Sequence, residues 1–473
     1  MGAWTRLWGG SRRLRADRGN VSVFAGPTNR ESARASAEPT KLLFINQYYW
    51  PDRASTAQHL TDLAESLADR GYECHVLCCK GGYQGNRSEV PSHEVHKGVH
   101  IHRVGSTSLG RRSMMRRMTD YLSFYARAMI RAVTLPRCDV TITLTTPPII
   151  GLIGVILSRL KRTRHVFWSM DLHPDASVAL GLMSPKNPIV AGLLALSNAV
   201  HRSADRVVVL GPYMADRIVA KGVRPNRVET IHVWSRRDEI YPLPREGHPL
   251  RASLGLEGKF VAMYSGNMGM AHTFEDFLEA ARRLRDRSEI VFLFVGDGPR
   301  RKEVLAAKQA ENLENVRLLD YFPREQLHAS LSLADVHLIS MRREMTGIVV
   351  PCKLYGSMAS ARPALFVGPE HCETADTIRE SGCGHTIRLG EPEAIVAAIE
   401  ALAANPGSAK EMGELGRAAF LSEFEREECC ARWSWMIGGL VGEPGVVSIP
   451  IGTSQVAAKP NVFPSTFSAR RAS

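Results

Sequence analysis

Short aliphatic and aromatic runs recur along the chain, each followed by a polar or glycine-bearing turn and then by apolar residues at helical spacing. The first run, KLLFIN at 41–46, has the length of a strand. Leu60, Leu63, Ala64 and Leu67 then fall three and four apart, the spacing that lines one helix face. Ser55, with Gln58 three residues on, has the form of a capping box; Gly71 has that of a helix stop, and ECHVLCC at 73–79 that of the next strand. This β-loop-α-β unit opens a doubly wound sheet in an α/β fold. Further strands are predicted over 100–104, 139–143, 165–168, 206–210 and 228–233, with helices over 176–182 and 214–221; residues 80–99 read as a loop.

The Pro-rich, charged stretch 235–251 reads as a linker, and a second alternation follows it. Strands are predicted at 259–264, 290–295, 316–319, 336–339 and 364–367, and helices at 274–285, 394–402 and 409–435. The pattern predicts two Rossmann-like domains, 41–240 and 252–437, facing each other across a cleft at the carboxyl edges of their strands. Residues 1–40 carry seven arginines against three carboxylates, and 438–473 are rich in Gly, Pro, Ser and Val. Both are expected to be a disordered leader and tail; an organellar transit peptide and a misassigned start are the other readings of the leader.

One predicted helix departs from the ordinary amphipathic pattern. Residues 111–137 hold seven arginines, among them Arg111, Arg112, Arg116 and Arg117, against Asp120 alone, with Met114, Met115, Met118, Tyr121, Leu122 and Tyr125 at helical spacing. It reads either as a core-facing helix with a solvated basic face or as a peripheral docking element for an anionic membrane. The apolar run IIGLIGVIL at 149–157, followed by basic residues at 159–164, supports the second reading. That run is about half of the roughly 20 residues a membrane span needs, so spanning is not expected.

The net charge of +12 points to acidic partners: nucleic acid, an anionic membrane or phosphorylated small molecules. No Lys/Arg run has interleaved aromatics, which sets nucleic acid aside. Nine cysteines without a CxxC pair suggest reduced thiols and a cytoplasmic place, with peripheral attachment to the inner face of the membrane as the extension. His371, Cys372, Cys383 and His385 lack paired zinc spacing, and no metal or other cofactor is expected.

Residues 346–363, TGIVVPCKLYGSMASARP, run from an apolar segment through Pro351 into a helical pattern with Lys353 at the junction. A helix N-terminus beside a lysine suits a phosphate. In the same half, Gly266-Asn267-Met268-Gly269 forms the first β-α turn of the second domain. From the first half, Asp171 and His173 sit just past a predicted strand, where an acid and an imidazole can meet a substrate. Asp171 or Asp175 acting only as a helix cap is the alternative.

These pieces resemble the GT-B-fold glycosyltransferases of family 4, retaining nucleotide-sugar transferases, and within them the WbuB-like subgroup of surface polysaccharide assembly. The resemblance rests on NQYYWPDRASTAQHLTDLAESLADRGYECHVL, FWSMDLHPDASVALGL, VVVLGPYMADRI, YSGNMGMAHTFEDFLEA, FLFVGDGP and GIVVPCKLYGSMASARP. It implies a nucleotide-sugar donor, UDP-linked by preference, and a lipid-linked or glycan acceptor, with hexosyl or N-acetylhexosaminyl transfer. It further implies that donor diphosphate lies near Gly266, Asn267 and Lys353, with donor sugar and diphosphate against the backbone of Gly347, Ile348, Val349 and Val350. The nucleobase falls near Gly296, Gly298, Tyr321 and Phe322, and Ser55 and Thr56 face the diphosphate from the first domain. Asp171, His173 and Lys353 are the implied catalytic set.

The sequence departs from the family pattern at named positions. Gly356 stands where many members have a ribose-gripping glutamate, Ile348 where they have a first glutamate, and Glu344 is the nearest carboxylate. Met270 replaces an expected arginine, with His272 nearby, and Ala54-Ser55 replaces a Gly-Gly pair. These departures make a non-catalytic nucleotide-sugar binder one rival reading; a sugar-nucleotide epimerase, which shares the two-domain plan but whose paired acid/base motifs are not found here, is the other.

Overall fold

The computed structural model describes residues 38–52, 54–82, 90–107 and 114–443. The leader up to residue 37, the tail from 444, and Arg111 and Arg112 lie outside the described residues.

Eight strands form the first sheet: β1 (Lys41–Ile45), β2 (Glu73–Cys79), β3 (His93–His96), β4 (Val99–Val104), β5 (Val140–Thr143), β6 (Arg164–Trp168), β7 (Arg206–Val209) and β8 (Val228–Thr230). Their order is β3-β4-β2-β1-β5-β6-β7-β8, parallel except for the β3–β4 pair. The second sheet holds β9 (Phe260–Ser265), β10 (Ile290–Val295), β11 (Val316–Leu319), β12 (Val336–Ser340), β13 (Ala364–Gly368) and β14 (Gly384–Arg388). These run β11-β10-β9-β12-β13-β14, all parallel. The chain thus has two Rossmann-like α/β domains, as the alternation predicts. Parallel sheets need helices on both faces, which is why β10 (IVFLFV) is buried at every position.

Strand order reverses between β1 and β5 in the first sheet and between β9 and β12 in the second. Loops leaving the carboxyl ends of such neighbouring strands diverge to opposite faces and leave a crevice. The Gly266 turn leaves β9 and the 341–352 segment leaves β12, so the second crevice lies between them.

Several elements differ from the pattern. Residues 93–96 form a strand within the stretch read as a loop. Ser55 does not cap its helix: Ala54, extended at φ −61° and ψ 139°, precedes Ser55–Asp69, and Ser55 is already helical. The helix Pro188–Ser203 was not predicted, because its apolar residues show no single face. The long C-terminal helix is broken at Phe420–Phe424, and Glu425 caps the next one, Arg426–Val441, by accepting from the Glu427 N–H at 2.7 Å. That last helix returns to the first domain, where Trp433 meets Trp168 with ring centroids 4.8 Å apart.

Contacts across the two domains are specific. The Glu373 carboxylate reaches the N-terminus of the helix Pro212–Ala220 and accepts from the Met214 N–H at 3.0 Å. Tyr213 donates its hydroxyl to Asp376 at 2.7 Å. Arg217 donates through Nε to the Thr346 carbonyl at 2.6 Å, and the Leu172 N–H to the Ile348 carbonyl at 3.1 Å.

Candidate active site

Two glycine turns build the floor of the second crevice. Gly266 follows β9 with φ 127°, and Gly296 follows β10 with φ 129°. A Cβ on Gly296 would lie 2.3 Å from the Gly266 carbonyl oxygen, so the two turns approach as closely as bare backbone permits. A Cβ on Gly266 would lie 3.0 Å from the Lys353 Cε, so that glycine leaves the lysine its space. Tyr264, buried on β9, fixes the turn by donating its hydroxyl to the Asn267 carbonyl at 2.8 Å. Asn267 abuts Gly298, and Tyr321 stands beside Gly296, half exposed. Asp297, Gly298, Pro299, Arg301, Lys302 and Leu305 line an open depression next to them.

Lys353 enters this floor from the helix Lys353–Ala359. Its Nζ lies 5.1 Å from the centre of the Tyr264 ring and 3.0 Å from His272 Nε2. The other ring nitrogen, Nδ1, is 2.6 Å from the Ser340 carbonyl oxygen, which can only accept. Nδ1 therefore carries the hydrogen, and Nε2 accepts from the lysine. Burial and the adjacent Lys353 charge push the His272 imidazole down to about 3, which keeps it neutral and an acceptor. Burial also pushes Lys353 down to about 8.

Among the described residues Lys353 has no carboxylate in ion-pair reach. Its basic neighbour Arg300 is different: it pairs with Glu275 at 2.5 Å and Glu303 at 2.7 Å. Lys353 is thus a half-buried cation without a counter-ion, held at one hydrogen by a neutral histidine. The helix behind it has only seven residues, so positive charge at this corner rests on Lys353 more than on a helix dipole.

The segment before Lys353 is strapped to the first domain. Gly347 sits under the Tyr213 carbonyl, Ile348 is buried, and Val349 and Val350 pack half-buried against the core. The buried setting of Ile348 is an apolar one, which suits the isoleucine and would penalise an acid. Gly356 is buried within the helix, where a Cβ would make ordinary contact with Leu331 at 3.4 Å. Glu344 is exposed on a single turn, Arg343–Met345, and has no ion pair among the described residues.

On the first-domain side, Asp171 and His173 line one small pocket with Thr145, Phe167, Ser197 and His201. Burial holds the Asp171 carboxyl above its usual range, while the neighbouring His173 pulls it back. Ser197 donates to the His173 carbonyl at 3.1 Å. Leu172, between the two, makes the bond to Ile348, so this loop and the Gly347–Val350 strap meet directly. Asp175 does not join them; it pairs with Lys221 at 2.6 Å. Ser55 is exposed and Thr56 half-buried at the start of their helix, and neither hydrogen-bonds to the second domain among the described residues.

The structure therefore brings together Gly266, Asn267, Gly296, Gly298, Tyr321 and Lys353, and joins Asp171 and His173 to the strap. The roles of His272 and Arg217 were not predicted. In the sequence His272 is only a side chain near Met270, and Arg217 reads as an ordinary helical arginine.

Comparison with known proteins gives this arrangement its class. Residues 56–234 match the glycosyl transferase 4-like domain, and residues 249–419 match the glycosyl transferases group 1 domain. The chain carries these two glycosyltransferase domains in tandem on a GT-B fold. Among curated proteins it is 27% identical over 264 residues to the probable glycosyltransferase WbjE of Pseudomonas aeruginosa, covering 56% of this chain and 66% of that one. It is 28% identical over 248 residues to the putative colanic acid biosynthesis glycosyl transferase WcaI of Escherichia coli, covering 52% and 60%. The chain thus spans less than two thirds of the length of either relative. Among solved structures, HepE of Anabaena in complex with UDP-glucose superposes with a TM-score of 0.65 at 14% identity, over 84% of this chain and 99% of that one. At that identity the likeness is one of fold.

Proposed function

We propose that the chain is a glycosyltransferase that moves a sugar from a UDP-sugar to a lipid-linked or glycan acceptor in cell-surface polysaccharide assembly, with retention at the anomeric carbon. The WbuB-like subgroup, with hexosyl or N-acetylhexosaminyl transfer, is the finer assignment. The observation that carries this reading is the half-buried Lys353 ammonium, without a counter-ion among the described residues, at the meeting of the Gly266 and Gly296 turns. The tandem domains, the polysaccharide role in the name of WcaI and the UDP-glucose bound by HepE support it.

In this mechanism the bond between the anomeric carbon and the donor phosphate oxygen breaks, and the diphosphate leaves with the electron pair. The acceptor hydroxyl forms its bond on the same face, and its proton passes to the departing phosphate oxygen. Negative charge grows on the diphosphate, and Lys353, aimed by His272, stabilises it. The backbone of Gly347 to Val350 lies against the sugar and phosphate; the Ile348 and Val349 N–H groups are held by the Met345 carbonyl, so the Gly347 and Val350 N–H groups are the donors this stretch offers. Asp171 and His173 face the acceptor side. Such a cation can serve in place of a metal ion, so turnover is expected without a divalent cation. The enzyme would work in the cytoplasm, peripheral to the inner face of the membrane through residues 111–137. No helix among the described residues is long and apolar enough to cross a membrane.

The test is a transfer assay with UDP-sugars and short-chain lipid diphosphate acceptors. Transfer by the wild type, reduced about 10²–10³-fold in Lys353→Ala, supports the reading. Near-normal turnover in Lys353→Ala would overturn the role of the lysine. Tight UDP-sugar binding with no transfer to any acceptor would favour a non-catalytic binder, the reading that Gly356 and Met270 motivate.

A further inference from the structure

Three helices of the first domain lie side by side: Met114–Thr134, Gly151–Leu160 and Pro188–Ser203. Lys161, at the end of the second, donates to the Ala132 carbonyl of the first at 3.0 Å. Gly151 abuts Val200 of the third, where a Cβ would lie 2.5 Å from a Val200 methyl. The first of these helices buries Phe124, Ala128 and Ala132 but also exposes Leu122 at 61%, Ile130 at 65% and Val133 at 43%. It has an apolar face on each side. The third is more unusual. From Asn187 to Val200 it holds no charged residue, yet Ile189 is 72% exposed, and Ala191, Gly192, Ala195 and Leu196 are exposed beside it. Leu182, 64% exposed, precedes it. A soluble helix ordinarily turns a charged face to water, so this face lacks a solvent-side design.

Charge tells what fits it. Between residues 141 and 205 there are six basic side chains, Arg159, Lys161, Arg162, Arg164, Lys186 and Arg202, and three carboxylates, Asp171, Asp175 and Asp205. Asp205 pairs with Arg164 at 3.4 Å, Asp171 lines the pocket and Asp175 is paired with Lys221, which leaves five basic side chains that no carboxylate of this stretch offsets. A second copy docked on this face by twofold symmetry would bring basic side chains together with no carboxylate of this helix to meet them. An apolar face with the exposed Lys186 and Arg202 at its two ends is complementary to lipid acyl chains beneath anionic headgroups.

We propose that the charge-free outer face of the helix Pro188–Ser203, with Leu182, inserts into the headgroup–acyl boundary of an anionic bilayer. This rests on the lipid-acceptor reading above and adds to it an element beyond residues 111–137. It also gives the pocket an orientation. Ser197 on the inner side of this helix bonds the His173 carbonyl, and Ser197, Val200 and His201 line the pocket with Asp171 and His173. The Asp171–His173 loop is then one helix thickness from the lipid, on the side where a lipid-linked acceptor presents its head.

The experiment is flotation of the full-length protein with vesicles of phosphatidylcholine alone and of equal parts phosphatidylcholine and phosphatidylglycerol. The wild type should bind the anionic vesicles, and Ile189→Glu with Leu196→Glu should lower its partition coefficient by about tenfold or more. Both side chains are surface-exposed, and stabilisation by UDP checks that the variant is folded. Ile189→Leu with Leu196→Ile, which keeps the apolar surface, should bind as the wild type does. Undiminished binding of the double glutamate variant would overturn the proposal. So would a wild-type dimer that the glutamates dissociate, because the face would then join two copies. UDP stabilisation without vesicle binding would remove the bilayer face and leave the donor site standing; vesicle binding without any UDP response would do the reverse.

Discussion

Raising the pH from about 7 to about 9 should weaken UDP binding about tenfold through Lys353 alone. The perturbation follows from the site: burial lowers the lysine to about 8, and no carboxylate among the described residues restores it. In the account proposed here only the ammonium binds diphosphate well. The charged fraction of the free protein is about 90% at pH 7 and about 10% at pH 9 for a group titrating near 8. The sign is that of a base with a depressed pKa: affinity is fully present below about 8 and falls as pH rises through it. The loss is about 1.4 kcal/mol of binding free energy between those two pH values. Calorimetric titration of the wild type and Lys353→Met with UDP, at several pH values, reads it. Ionisation of the ligand is common to both proteins and cancels in the ratio of their dissociation constants. Lys353→Arg, whose guanidinium stays charged, should bind with no inflection near 8. A wild-type to Lys353→Met ratio that stays constant from pH 7 to 9 would refute the reasoning.

Other outcomes follow from the same contacts. Lys353→Met should raise the thermal stability of the ligand-free protein at pH 7, by up to about 3 kcal/mol, because it removes a desolvated charge that has no counter-ion among the described residues. Scanning calorimetry checks it, and an unchanged or lower melting point would contradict it. His272→Ala should weaken UDP binding about tenfold by freeing the lysine, and His272→Gln, which can still accept, should recover part of it, as read by the same titration. Glu373, raised to about 7 by burial, keeps its proton in the fold over a range where it loses it on unfolding. Stability from this group therefore falls as pH rises from about 4.5 to about 7, by up to about 3 kcal/mol, and Glu373→Gln should flatten that limb in urea titrations. Cys352 is the exposed one of the nine cysteines, next to Lys353. UDP should slow its alkylation, and an unchanged rate would place the ligand elsewhere.

Much of this arrangement is legible in the sequence, for identifiable reasons. Strands such as β9 and β10 are buried on both faces, so they read as continuous apolar runs. The glycine turns after them read as β-α turns, and their place in a second alternation gives them meaning. β3 (HEVH) offers neither run nor alternation; it forms because β4 supplies an antiparallel edge. The cap at Ala54 was hidden because the backbone, rather than a side chain, sets where that helix begins. The helix Pro188–Ser203 was missed because apolar residues on both faces erase the period of 3.6. Lys353 was visible as a charge at a junction. Its bond to His272 was not, because the two are 81 residues apart and the acceptor role of Nε2 depends on the Ser340 carbonyl, on a third element.

The central claim is that Lys353 holds the donor diphosphate, and the direct measurement is calorimetric titration of the wild type and Lys353→Ala with UDP and with uridine at pH 7. The account predicts that Lys353→Ala weakens UDP at least about tenfold and leaves uridine unchanged, since a charge-assisted contact of this kind contributes about 1.5–3 kcal/mol. Equal affinity of the two proteins for UDP, or an equal loss for UDP and uridine, would contradict it.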